Sequence, residues 1–174
     1  MPGEDLVLAR AFPEVEEVSR ALRDARISVA VAESCTGGLL GAVLTALPGS
    51  SDYMRGGVIA YADAVKADVL GVSRHLLAEH GAVSEPVALA MAAGARERCR
   101  SDIAVAVTGI AGPASVETSK PAGLIYIALV DGMSSRVERV EGDRGRDGNR
   151  GAAVRLALRL CLDAALGAGS HPGG

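Results

Sequence analysis

In "PEVEEVSRALRDAR" the apolar residues Val15, Val18 and Leu22 fall at helical spacing behind Pro13, so a helix is predicted there. "ISVAVAES" reads as a buried strand. Two glycines follow it, and then Leu39, Leu40, Val43, Leu44 and Leu47 mark a helix that stops at "PGSSD". Ser34 is thereby placed at a strand-to-helix turn. "GGVIAYADAVKADVLGV" predicts a short strand ending near Tyr61 and a helix carrying Lys66, and "SRHLLAEHGA" adds a further short helix. "SEPVALAMAAGARERCR" opens with a capping serine and Pro86, the start of a long helix ending near Arg100.

"DIAVAVTGIAGP" alternates Ile103, Val105 and Val107 with small residues before breaking at Thr108-Gly109, the pattern of a buried strand opening into a loop. "AGLIYIALVDG" and "SSRVERVEG" are two strand-like runs joined by a short Asp-Gly turn, which predicts an antiparallel hairpin. "NRGAAVRLALRLCLDAAL" has helical spacing, with "GAGSHPGG" expected as a frayed tail. The arginines of "GDRGRDGNRGAAVR" read as a solvated loop and helix face. Strands alternating with helices predict one three-layer α/β/α domain, its sheet mixed and mostly parallel with an antiparallel hairpin. The expected organisation is an N-terminal extension over 1–12, the domain over 13–166 and a flexible tail over 167–174.

Composition narrows the function classes. The 174 residues, 49% hydrophobic and 22% charged, suit one soluble domain. With 18 basic and 21 acidic residues the net charge is -3, so nothing draws the whole chain to nucleic acid or to an anionic membrane. Only 2% of residues are aromatic, too few for base-stacking platforms. Cys35, Cys99 and Cys161 are distant and odd in number, giving neither a disulfide framework nor zinc-site spacing. The acidic N-terminus is unlike a secretory signal, and no apolar run is long enough to span a bilayer, so the expectation is cytoplasmic and unbound to membrane.

In open α/β sheets ligands collect beyond the carboxyl ends of strands, which would gather "ESCTGG", the Tyr61 turn and "TGIAGP" on one edge. A serine nucleophile needs a base, and these loops offer Lys66, Tyr61, Glu33 and Asp63 but no histidine. Lysine serves only when neutral, its usual value of ~10.4 having been lowered by burial or by a nearby cation. Backbone amides of Cys35, Thr36 and Gly37, expected at a helix start, would meet an oxyanion or phosphate, and Gly37 and Gly38 would let a ligand approach closely. The same placement would lower the Cys35 pKa, making its thiolate a rival to Ser34. Taken singly, Ser34 also reads as a helix cap, Lys66 as a solvated charge, Tyr61 as a packed ring and "TGIAGP" as a plain turn.

Jointly, "VAESCTGGLL", "GGVIAYADAVKADVLGV", "GAVSEPVALAMAAGAR" and "AVAVTGIAGP…KPAG", in this order and spacing, closely resemble the CinA C-terminal domain family over residues 13–166. That family includes nicotinamide mononucleotide deamidases. The resemblance implies hydrolysis of nicotinamide mononucleotide to nicotinate mononucleotide and ammonia, without metal or organic cofactor, by a homodimer. It implies Ser34 as nucleophile with Tyr61 and Lys66 as its catalytic partners. Substrate contacts are expected from Glu33, Cys35, Thr36, Gly37, Gly38, Thr108 and Gly109. By the family's Arg-x-x-x-Arg pattern, Arg146 and Arg150 would meet the phosphate, with Arg144 as an alternative.

Two departures leave other readings open. Where the family loop carries several glycines, this chain has "GPASVETSKPAG", with side chains at Ala114, Ser115 and Val116 that would weaken binding or shift substrate choice. "EGDRGRDGNRG" is also longer than the usual segment. A weakly active or inactive nucleotide-binding domain, or a Ser-Lys amidase for another small amide, is therefore retained beside the deamidase reading.

Overall fold

The computed structural model describes residues 7–114 and 118–169. Thus Ser115 and Val116 lie outside the described residues, as do the ends of the expected extension and tail. The order is α1 (Val7–Ala11), α2 (Glu14–Ala25), β1 (Val29–Glu33), α3 (Leu39–Leu44), β2 (Met54–Ile59), α4 (Asp63–Asp68), α5 (Arg74–His80), α6 (Glu85–Cys99), β3 (Ile103–Gly109), β4 (Ile125–Val130), β5 (Ser135–Val140) and α7 (Gly145–Gly169).

One five-stranded sheet runs β2-β1-β3-β4-β5. β2, β1 and β3 are parallel, and the β4-β5 hairpin continues the sheet antiparallel from β3. The alternation in "VAVAE" and "IAVAV" explains the two layers of helices. Val29, Val31, Ile103, Val105 and Val107 share one core with Val15, Val18 and Leu22 of α2, Leu40 and Val43 of α3, and Val154 and Leu158 of α7. The intervening Ala30, Ala32, Ala104 and Ala106 face the other side and pack with Val87, Ala88, Met91, Ala92 and Ala95 of α6, joined by Leu70 and Val72. Alanine on the sheet lets α6 lie close. Its own Gly94 continues this economy of space: a Cβ there would sit 1.9 Å from the Leu70 carbonyl oxygen.

Two local expectations change. The helix after "ESCTGG" begins only at Leu39, because Gly37 and Gly38 take left-handed φ values of 59° and 97° that no helix accommodates. Conversely α7 starts at Gly145, four residues before the helical pattern that opens at Asn149, so part of what was read as solvated loop is a further turn of helix. Buried Asn149 secures that start, its Nδ2 donating to the Ala111 carbonyl at 2.9 Å and to Asp143 Oδ1 at 2.8 Å. The N-terminal extension includes α1, which buries Ala9 and leads to the buried Phe12. Ser84 precedes α6 as expected, but its hydroxyl donates back to the Gly81 carbonyl at 2.8 Å.

Candidate active site

Because β2, β1 and β3 are parallel, their carboxyl ends share one edge, and register fixes what meets there. Glu33 pairs with Ile59 on one side and Val107 on the other. The next residue, Ser34, donates its backbone N–H to the Val107 carbonyl at 2.9 Å, while Ala60 N–H donates to the Glu33 carbonyl at 2.7 Å. A cavity of about 430 Å³ opens over this edge, lined by Ser34, Cys35, Tyr61, Lys66, Thr108 and Arg146 among others. It lies where chain order reverses on either side of β1, the place ligands favour in such sheets.

Each side chain arrives by a separate route. Lys66, on the short helix α4, has a side chain only 1% exposed, and its Nζ donates to the Tyr61 carbonyl at 3.1 Å and to Asp63 Oδ1 at 3.3 Å. Burial of the lysine is thus present, but its ionic neighbour is a carboxylate rather than the cation considered from sequence. Tyr61 is 59% exposed, and its hydroxyl accepts from Arg146 Nη2 at 3.2 Å. Arg146 Nη1 donates to the Gly112 carbonyl at 2.7 Å, so this arginine bridges the second and third loops of the cavity. Thr108 is buried, and its hydroxyl donates to the Ala82 carbonyl at 2.7 Å, fastening the 82–83 wall to the end of β3. Gly109 lines the cavity with it. A Cβ there would come 2.5 Å from Ile125, so β3 and β4 can close only over glycine.

Five nominated residues lie off the cavity wall. Glu33 is 1% exposed and faces α3, where Oε2 accepts from the amides of Gly38 at 3.1 Å and Leu40 at 3.0 Å, and Oε1 accepts from Gly41 at 2.8 Å. The positive end of α3, expected to meet substrate, is therefore filled by the chain's own carboxylate. Thr36, Gly37 and Gly38 form the turn behind the wall. Arg150 reaches into that turn, Nη2 donating to the Thr36 carbonyl at 2.9 Å. Arg144, the alternative, is likewise off the wall: its Nη1 donates to the Glu141 and Gly142 carbonyls at 3.0 and 2.8 Å, and its backbone N–H to Asn149 Oδ1 at 2.9 Å.

Cys35 contradicts its expected activation. Burial pushes its thiol up to about 11, outweighing its own amide and the Arg150 and Arg146 charges that act the other way. With the helix start displaced to Leu39, the dipole that was to lower this pKa is absent.

Sequence reasoning passed over two residues that shape the cavity. Lys120, quoted only as part of "KPAG", donates from Nζ to the carbonyls of His80 at 3.1 Å and Val83, tying the wall to the 118–123 segment. Asn149 was hidden among glycines and arginines; its sole signal is an amide side chain at the head of an apolar helix. Among the described residues no group of three or more His, Cys, Asp or Glu is placed to hold a metal ion. No described helix is long and apolar enough to cross a membrane.

A family model described as the CinA C-terminal domain matches residues 13–165. CinA-like proteins of Gloeobacter violaceus and Mycolicibacterium paratuberculosis are 51% and 49% identical over 76% and 84% of this chain. Those alignments cover 32% and 36% of the relatives, so the chain spans about a third of their length. The crystal structure of a competence/damage-inducible protein from Agrobacterium tumefaciens superposes with a TM-score of 0.81 at 40% identity, over 88% of this chain and 96% of that one. A CinA superfamily protein from Klebsiella pneumoniae gives 0.86 at 31% identity, over 90% and 98%.

Proposed function

Since this chain belongs to the CinA C-terminal domain family, we propose that it is an amidohydrolase converting nicotinamide mononucleotide and water to nicotinate mononucleotide and ammonia. The observation that carries the reading is the single cavity shared by Ser34, Lys66, Tyr61, Thr108 and Arg146. A hydroxyl nucleophile, a buried amine, a phenol and a guanidinium at one sheet edge form a set suited to cleaving an amide in an anionic ligand.

In this mechanism Ser34 Oγ attacks the carboxamide carbon, and its proton passes to the Lys66 amine, directly or through Tyr61. The backbone amide of Cys35, on the cavity wall, steadies the oxyanion. Collapse breaks the C–N bond while the nitrogen takes the proton back from Lys66 or Tyr61 and leaves as ammonia. The Ser34 ester then accepts water, whose proton goes to Lys66, and the acid is released as Ser34 regains its hydrogen. Arg146 meets the phosphate, and its bond to Tyr61 couples phosphate binding to the catalytic phenol. Thr108 acts by fastening the 82–83 wall. The protein works in the cytoplasm, as a homodimer, on a small nucleotide.

The test is ammonia release from nicotinamide mononucleotide, with the product identified by mass. Wild-type turnover that falls about a thousandfold or more in Ser34→Ala supports the reading. A well-folded wild type without turnover overturns the substrate. In that event a panel of other small amides, and equilibrium binding of the nucleotide, separate an amidase of different specificity from a binding domain. Arg146→Met is expected to raise KM about tenfold or more, since it removes a charge-assisted contact to phosphate.

A further inference from the structure

We infer that Arg150 is a positioning residue of the nucleophile turn, holding the Thr36–Gly37 peptide group and through it the backbone of Ser34. The inference rests on the amidohydrolase reading for Ser34 as nucleophile, but its structural content stands on the contacts of the turn alone. Arg150 and Arg146 share the Arg-x-x-x-Arg pattern, and one helical turn of α7 separates their tasks. Arg146 lines the cavity, whereas Arg150 does not.

The Thr36 carbonyl accepts from Arg150 Nη2 at 2.9 Å and from the Leu39 amide at 3.1 Å. The other end of the same peptide group, Gly37 N–H, donates to the Ser34 carbonyl at 3.0 Å. A peptide group is planar, so holding its oxygen sets the direction of its N–H. Ser34 is thereby fixed on both sides: its carbonyl by the Gly37 amide that Arg150 steadies, and its amide by the Val107 carbonyl at 2.9 Å. The turn needs such support because Gly37 holds a left-handed φ of 59°, and glycine alone gives the backbone little resistance to leaving it.

Part of the guanidinium is turned inward as well, although the side chain as a whole is 29% exposed. Its Nε is buried and, among the described residues, has no hydrogen-bond partner, and the same is true of Thr36 Oγ1. A phosphate-binding arginine would present its Nε and Nη edge to the ligand. Here Nη2 is engaged by the turn instead. The pairing of Nη1 with Asp147 Oδ1 is long, at 3.7 Å, and that carboxylate is 99% exposed, so it competes little for the side chain.

Hydrogen exchange and kinetics of the full chain test the assignment. In Arg150→Met, amides within 34–40 should exchange about tenfold faster or more, while those of β3 within 103–109 keep their wild-type rates. With nicotinamide mononucleotide, kcat should fall about tenfold or more and KM stay within about twofold. Arg150→Gln carries the same comparison should the methionine variant fail to fold. Wild-type exchange in 34–40, or a raised KM with kcat retained, would overturn the inference. If the wild type does not hydrolyse this nucleotide, the substrate reading alone falls, and exchange still decides the role of Arg150.

Discussion

Cys35 stands beside Ser34 on the cavity wall, and its thiol is held near 11 by burial. At neutral pH it is protonated and a poor nucleophile. Cys35→Ala is therefore expected to keep kcat/KM within about threefold of wild type, where Ser34→Ala abolishes it. Iodoacetamide at pH 8, followed by mass spectrometry, should label partly exposed Cys99 before Cys35 or Cys161, the latter pushed up to about 12 by its own burial. Rapid labelling of Cys35 that also abolishes turnover would contradict this. Glu33 is held differently: among the described residues, its side-chain hydrogen bonds all come from backbone donors at the α3 entry. Glu33→Gln sets an amide N–H₂ against at least one of those N–H groups. We expect a loss of about 2 kcal/mol or more in urea unfolding, with kcat falling alongside because the Ser34 turn loses its anchor. Unchanged stability would show that the carboxylate contributes little to holding that turn.

Elements meet at distances that single atoms decide. Gly94→Ala would thrust a methyl into the Leu70 carbonyl, 1.9 Å away, and backbone cannot yield as a side-chain tip does. The substitution should cost about 1–3 kcal/mol, visible as a fall in Tm, despite the better helix propensity of alanine. A Tm equal to or above wild type would mean that α6 and the chain at Leu70 separate easily. The same elements show what the sequence makes legible. Alternating valine and alanine in β1 and β3 encode both the strands and the side taken by each helical layer, since period two leaves no other assignment. The cavity's place follows, as do Ser34, Tyr61 and Thr108 at three neighbouring strand ends. The start of α7 was illegible because Gly145, Gly148 and Gly151 each cost about 1 kcal/mol of helix propensity, and tertiary bonds from Asn149 override them. Illegible too were the directions of Glu33 and Arg150. Arg150 finds its acceptor 114 residues earlier in the chain, and only the docking of α7 on the sheet brings the two together.

Across the whole molecule the cavity occupies one edge of the sheet, and a polar staple closes the opposite one. Asp102 Oδ2 accepts from the Ser28 hydroxyl at 2.6 Å and the Ser28 amide at 2.8 Å, while the Ser28 hydroxyl lies 3.0 Å from the Asp102 amide. Residues 74 apart are thus joined where β1 and β3 begin, so the staple bears on global stability and not on chemistry. The Ser28 hydroxyl, then its amide, hold the Asp102 carboxyl below its ordinary value, against a smaller opposing effect of burial. A carboxyl depressed in the folded state contributes stability that is fully present above the unfolded value of ~3.9 and is lost as pH falls through the folded value. Asp102→Asn should accordingly unfold at lower urea than wild type at pH 7, and the gap between the two midpoints should narrow below about pH 4. Its kcat at pH 7 should match wild type, because no contact of Asp102 reaches the cavity. A gap that stays constant into acid would show that the staple acts through shape alone, and a fall in kcat would show that the far edge of the sheet governs the geometry of Ser34.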